Sequence, residues 1–152
     1  MFELILSIIR SSHYLQENDG SFPAGCNGPY RDAETSSRNT SHWLIANLYA
    51  WQVTENIEFL QCADKAATYL ENQILNSDIS GVVCRHSTKK DSLNGLMGQA
   101  WILEAISEYY QQTKKHSALI AAVKLYQKFK FDSHLKTWMI NDKNSTKLSV
   151  DR

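Results

Sequence analysis

The 152 residues lack most features that give a function away. Charge of one sign is missing: 16 Lys and Arg stand against 16 Asp and Glu. That removes the electrostatic footprint of a nucleic-acid binder or a basic membrane-surface protein, so no nucleic-acid partner is expected. Paired cysteines are missing too. Cys26, Cys62 and Cys84 are odd in number and widely scattered, which argues against a disulfide framework and for reduced, buried thiols. No apolar run approaches the roughly 20 residues that span a bilayer. The opening stretch from Met1 to Arg10 is apolar, but it has neither a basic leader nor a small-residue cleavage site. A cytoplasmic chain without a membrane partner is expected. No phosphate-binding glycine loop, nucleophile elbow or dinucleotide fingerprint occurs, and no cofactor is expected.

Helical rhythm is plentiful. Apolar positions recur at helical spacing over residues about 3–17, 41–53, 57–74, 94–112 and 116–130. The first, third and fifth segments are amphipathic, with stripes such as Phe59, Ala63, Ala66, Leu70 and Ile74 opposed by Glu58, Asp64 and Glu71. The second and fourth have almost no polar face, which predicts helices covered on all sides. Short links around Thr54-Glu55-Asn56 and Thr113-Lys114-Lys115 make antiparallel hairpins of helices two and three and of helices four and five. The remaining connections are long. They are Asp19 to Trp43, about Asn76 to Leu93, and the part after Phe131. Val82–His86 and Leu135–Ile140 read as short extended pieces. Because the short turns alternate with the long linkers, the long linkers leave one end of the bundle, where the unsatisfied N–H groups of helices two and four also point. A cleft at that end is the default site.

A shift of about 59 residues superposes Trp51 on Tyr110, Thr54 on Thr113, Ala63 on Ala122 and Leu70 on Phe129. Repeated hairpins of this kind bury their faces only by stacking. Together with the stretches Asp19-Gly20-Ser21-Phe22-Pro23, Asn39-Thr40-Ser41-His42-Trp43-Leu44 and Asn94-Gly95-Leu96-Met97-Gly98-Gln99-Ala100-Trp101, this rhythm resembles the six-hairpin α/α toroid superfamily of glycosidases and sugar epimerases. The resemblance implies an all-α fold, an arc of antiparallel hairpins within an α/α toroid. It implies one domain over 1–152, the N-terminal part of a larger toroid, because a closed toroid has about twelve helices and five are present. A glycan or sugar derivative is the implied partner, with hydrolysis, elimination or epimerisation as the chemistry. The open edges imply a homo-oligomer or contact with a missing C-terminal part. A non-catalytic carbohydrate-binding or assembly module is the alternative.

The candidate residues carry two readings each. Asp19 before Gly20 is a turn residue. Asp32 and Glu34, beside Arg31, are either solvated loop charges or carboxylates for acid/base work on a glycosidic bond. Asp91 is either such a carboxylate or, like Ser92, the cap of helix four; Thr40 or Ser41 is the expected cap of helix two. His42 is a buried, satisfied histidine or a site residue, and Trp43 a core residue or a sugar platform. On an extended piece, one of Arg85 and His86 faces the cleft and the other solvent. Asn94 and Gln99, polar amides opening an apolar helix, must find a partner in protein or ligand. Zinc is a lesser alternative, with Cys84, His86, His42 and His134 as conceivable ligands, but their spacing is not diagnostic of a zinc site.

Overall fold

The computed structural model describes residues 1–27, 32–86, 93, 95–142 and 145–148, with the backbone alone for 26–27, 32–33, 140–142 and 145–148. The fold is all-α. Its helices are α1 (Phe2–Ser12), α2 (Ser36–Thr54), α3 (Ile57–Asn76), α4 (Gly95–Thr113) and α5 (His116–Tyr126). Two small antiparallel sheets fill the long connections: β1 (Cys26–Asn27) with β2 (Asp32–Ala33), and the meander β3 (Phe129–Asp132), β4 (Thr137–Asp142) and β5 (Ser145–Leu148). The hairpins α2–α3 and α4–α5 stack with α2 beside α4 and α3 beside α5, and α1 closes against α2.

The repeat extends to the chemistry of the turns. α2 and α4 begin and end 59 residues apart, as do the starts of α3 and α5. Both helices stop at a residue in the left-handed region, Glu55 at φ 56° and Lys114 at φ 58°. The N–H of each reaches back to a carbonyl of the last turn, Trp51 at 2.7 Å and Tyr110 at 2.8 Å, in the manner of an αL stop. Ahead of each stop, the Thr54 and Thr113 hydroxyls donate to Ala50 and Tyr109 and accept from Asn56 and Lys115 N–H. Asn56 then caps α3 by accepting the Glu58 N–H at 3.0 Å. The loops entering α2 and α4 also match, since Asp19 and Asp78 each accept a backbone N–H two residues on, both at 2.9 Å.

The core lies between the layers. Leu44, Leu48, Ala63, Ala67, Leu70, Ile102, Ala105, Ile106, Ala118 and Leu125 are all buried there. Alanines on α3 and α5 let the helices approach closely, and Tyr109 spans the seam. Its hydroxyl donates to Asp64 at 2.6 Å, and Lys115 binds the same carboxylate at 2.9 Å. Burial first, and the Asp64 carboxylate next, push the Tyr109 phenol up to about 12. A smaller cluster of Leu6, Ile9, Ala50 and Phe59 seats α1, and His13 fixes its end by bonding Asn47 at 2.7 Å.

Five local expectations are corrected. Helix two starts at Ser36, ahead of 41, with Thr35 as its first flanking residue. Thr40 and Ser41 are not caps, because their hydroxyls back-bond to the Ser36 and Ser37 carbonyls inside the helix. The helix at the N-terminus stops at Ser12 and tightens into a 3₁₀ turn over His13–Leu15. Helix five ends at Tyr126, because the alternation of Phe129, Lys130 and Phe131 belongs to β3, with Phe129 inward. Nor are α2 and α4 covered all round, since Tyr49 (48%), Val53 (46%) and Met97 (50%) are exposed. Partners on α2 and α4 leave one side of each helix open.

Candidate functional site

Two long connections meet at the start of α2. Glu34 forms an antiparallel bridge with Arg85. Thr35 donates its N–H to the Cys84 carbonyl at 3.0 Å and its hydroxyl to Val83 at 2.8 Å. The hydroxyl that would otherwise cap α2 thus clips the 82–86 segment to the helix entrance. The third connection adjoins them through Lys128, whose ammonium reaches the Ser77 carbonyl at 3.0 Å and the Asp78 carbonyl.

From this junction a column of side chains runs down the uncovered side of α2. Glu34, Arg38 and His42 follow at steps of four residues, the spacing that stacks side chains along a helix. Glu34 is buried and ion-paired with Arg38. The Arg38 guanidinium also lies over the Trp101 ring, 4.4 Å from its centroid, a cation–π contact bridging α2 to α4. His42 packs on the same indole at 5.4 Å and a 59° tilt. Burial first and the Arg38 charge second hold its imidazole below the ordinary 6.5, while Glu104 pulls the other way. The site therefore presents an exposed, neutral imidazole, a guanidinium fixed by carboxylate and indole, and an acidic neighbour on the facing helix. Such a set can accept a proton at neutral pH and place donors beside a hydroxyl or a developing oxyanion.

The other sequence-derived candidates fall as follows. Trp43 is half-buried between the two core clusters and stacks on Phe22 at 5.6 Å. Arg85 is buried and His86 exposed. Asp32 lies in β2, opposite Asn27. Arg31, Asp91 and Asn94 lie outside the described residues. Among the described residues no three of His, Cys, Asp and Glu gather as metal ligands, and no helix is long and apolar enough to cross a membrane.

Gln99 finds its partners in the backbone. It accepts the Val82 N–H at 2.8 Å and donates to the Val82 and Leu93 carbonyls at 2.7 and 3.1 Å. Thr40, its repeat mate on α2, likewise accepts the Phe22 N–H at 2.9 Å. Each latches the long connection entering its own hairpin. Gln99→Leu should lower stability by about 1–3 kcal/mol, because the buried Val82 N–H loses its acceptor. Urea melting checks this, and an unchanged midpoint would mean that the latch contributes nothing.

Arg38, Trp101 and Glu104 are absent from the sequence-derived set. A signal for Arg38 exists, since it is the sole Lys, Arg, Asp or Glu between Ser36 and Thr54. Arg38 lies within the polar run 36–41, where apolar periodicity carries no helical signal.

Comparison with known proteins gives two relatives. The chain is 38% identical over 150 residues to archaeal glycosylation protein Q of Haloferax volcanii, a match covering 99% of this chain and 40% of that protein. It is 31% identical over 88 residues to cellobiose 2-epimerase of Dictyoglomus turgidum, covering 56% of this chain and 22% of that enzyme. The chain thus spans about two fifths of the length of the first relative and less of the second. No protein-family model and no solved structure matches.

Proposed function

We propose that this chain forms one wall of a sugar site in a carbohydrate-active protein of the six-hairpin toroid type, and that the sugar lies against Arg38, His42, Trp101 and Glu104. The observation that carries this reading is the column from Glu34 to His42 facing Trp101. It combines a neutral base, a held cation and an indole on an uncovered helix face. Likeness to a glycosylation protein over nearly the whole chain, and to a sugar epimerase over about half of it, supports a glycan as the ligand.

Proton transfer on the sugar is the chemistry that suits the column, with His42 as the base and Arg38 steadying the oxygen that gains charge. Epimerisation is thereby preferred to hydrolysis, which needs two carboxyl groups flanking the bond. Glu34, tied to Arg38, serves as a positioning residue. Asp32 and Asp91 remain the proton-transfer candidates on the loops, where substitution by Asn distinguishes a proton-transfer role from a binding one.

Titration of the chain with cellobiose, followed by tryptophan fluorescence and calorimetry, tests the reading. Arg38→Gln and Trp101→Leu should each weaken binding by about tenfold or more, the scale of a lost charge-assisted hydrogen bond or stacking contact. Equal affinity in both variants and the parent would remove the column from the site.

A further inference from the structure

We infer that the column takes a sugar without negative charge, best of all one bearing an ammonium group, and that Glu104 is the residue that turns an anionic sugar away. The inference rests on the sugar site proposed above and names its substrate class. The charges of the two facing helices carry it. Arg38 is the sole Lys or Arg of α2, and α4 has neither. The Arg38 charge is already answered by the buried Glu34 carboxylate, and its flat face lies on the Trp101 indole. A guanidinium paired in this way still donates hydrogen bonds to hydroxyls, but it has no unanswered charge for a carboxylate or a phosphate.

The acidic groups stand differently. Glu104 follows Trp101 by three residues on α4 and is exposed, and Glu108 follows Glu104 by four, so all three share one side of the helix. Among the described residues neither glutamate takes part in an ion pair. Glu108 accepts the Gln112 amide at 2.7 Å. The Glu104 charge reaches His42, where it opposes that of Arg38. With the imidazole neutral, three carboxylates face one guanidinium, a surplus of two negative charges. A concave wall lined by one sign of charge concentrates ligands of the other sign and repels its own. An amino sugar brings an ammonium to Glu104, a neutral sugar brings hydroxyl donors, and a sugar acid or sugar phosphate brings only repulsion.

Two measurements test this. Collisional quenching of Trp101 emission, isolated by difference from Trp101→Phe, reads the charge around the indole with no sugar present. Caesium should quench it about twofold or more better than iodide, and the difference should shrink in high salt. Glu104→Gln should remove the difference, whereas Glu3→Gln, on the exposed side of α1, should not. Titration of the chain with glucosamine, glucose and glucose 6-phosphate then reads selectivity. Glucosamine should bind about tenfold or more tighter than glucose 6-phosphate, with glucose between them. Glu104→Gln should narrow that ratio about tenfold and change the glucose affinity less than about threefold, with the circular dichroism of the chain unchanged. Iodide quenching equal to or better than caesium, or a ratio of sugar affinities indifferent to Glu104→Gln, would overturn the inference and leave the sugar site standing. Caesium-favoured quenching with no response to any of the three sugars would remove the sugar site itself, and this inference with it.

Discussion

Replacing His42 by Gln should lower turnover of the sugar substrate at least ~10²-fold in the natural gene product carrying this sequence, with affinity changed only a few-fold. Glutamine keeps a polar group against Trp101 and removes the proton acceptor. Its effect therefore separates proton transfer from binding. The pH profile has a definite sign. Burial and the Arg38 cation both hold the imidazole below 6.5, so the neutral base survives to lower pH than an ordinary histidine, and the acid limb of kcat lies below 6.5. Arg38→Met removes the second cause and should move that limb to higher pH. Stability follows the same linkage. The unfolded chain takes up the proton first, so the contribution is complete above about pH 6.5 and falls away as pH drops through the window down to the folded value. Kinetics and histidine NMR titration check both statements. A full rate in His42→Gln would assign the chemistry to another group.

Gly20→Ala should be the most destabilising of the single glycine changes, costing about 2–4 kcal/mol from backbone strain together with overpacking. Gly20 sits at φ +90°, and a Cβ there would stand 2.2 Å from the Lys65 carbonyl oxygen. That oxygen belongs to the middle of α3 and cannot swing aside. The loop is also pinned on either side, since Gln16 donates to the Gly20 and Cys62 carbonyls and Asp19 accepts the Ser21 N–H. Gly25 provides the comparison. Its Cβ would meet the end of the Asn39 side chain at 3.2 Å, a neighbour that can yield, and Gly25→Ala should cost under about 1 kcal/mol. Chemical denaturation of the two variants checks the contrast, and equal midpoints would show that the Gly20 loop moves as a unit.

Several features of the fold were readable from composition and periodicity. The short links at Thr54-Glu55-Asn56 and Thr113-Lys114-Lys115 sit between runs of helical spacing and define the hairpins, and four matched positions on a 59-residue shift marked the hairpins as a repeat. A helical hairpin is local: its turn chemistry and its apolar stripes lie within some forty residues, so the chain writes them in order. Asp19 before Gly20 was legible as a turn for the same reason. The start of α2 was not. Residues 36–41 are polar, and Thr40 and Ser41 look like caps until their hydroxyls are seen bonded one turn back. End signals of helices compete with back-bonding that periodicity cannot register.

By itself, then, the sequence determined that helices form, how they pair into hairpins, and that chemically equipped loops separate them. Tertiary structure alone decided which side of α2 stays open, and hence that Arg38 and His42 share an indole with α4 while Trp43, the next residue, turns into the core. It also decided that Gln99 spends its amide on the backbone of Val82 and Leu93. The physical reason is common to all three. A polar side chain in an apolar helix must be satisfied, but the partner that satisfies it comes from residues distant in the chain, and only packing chooses among them.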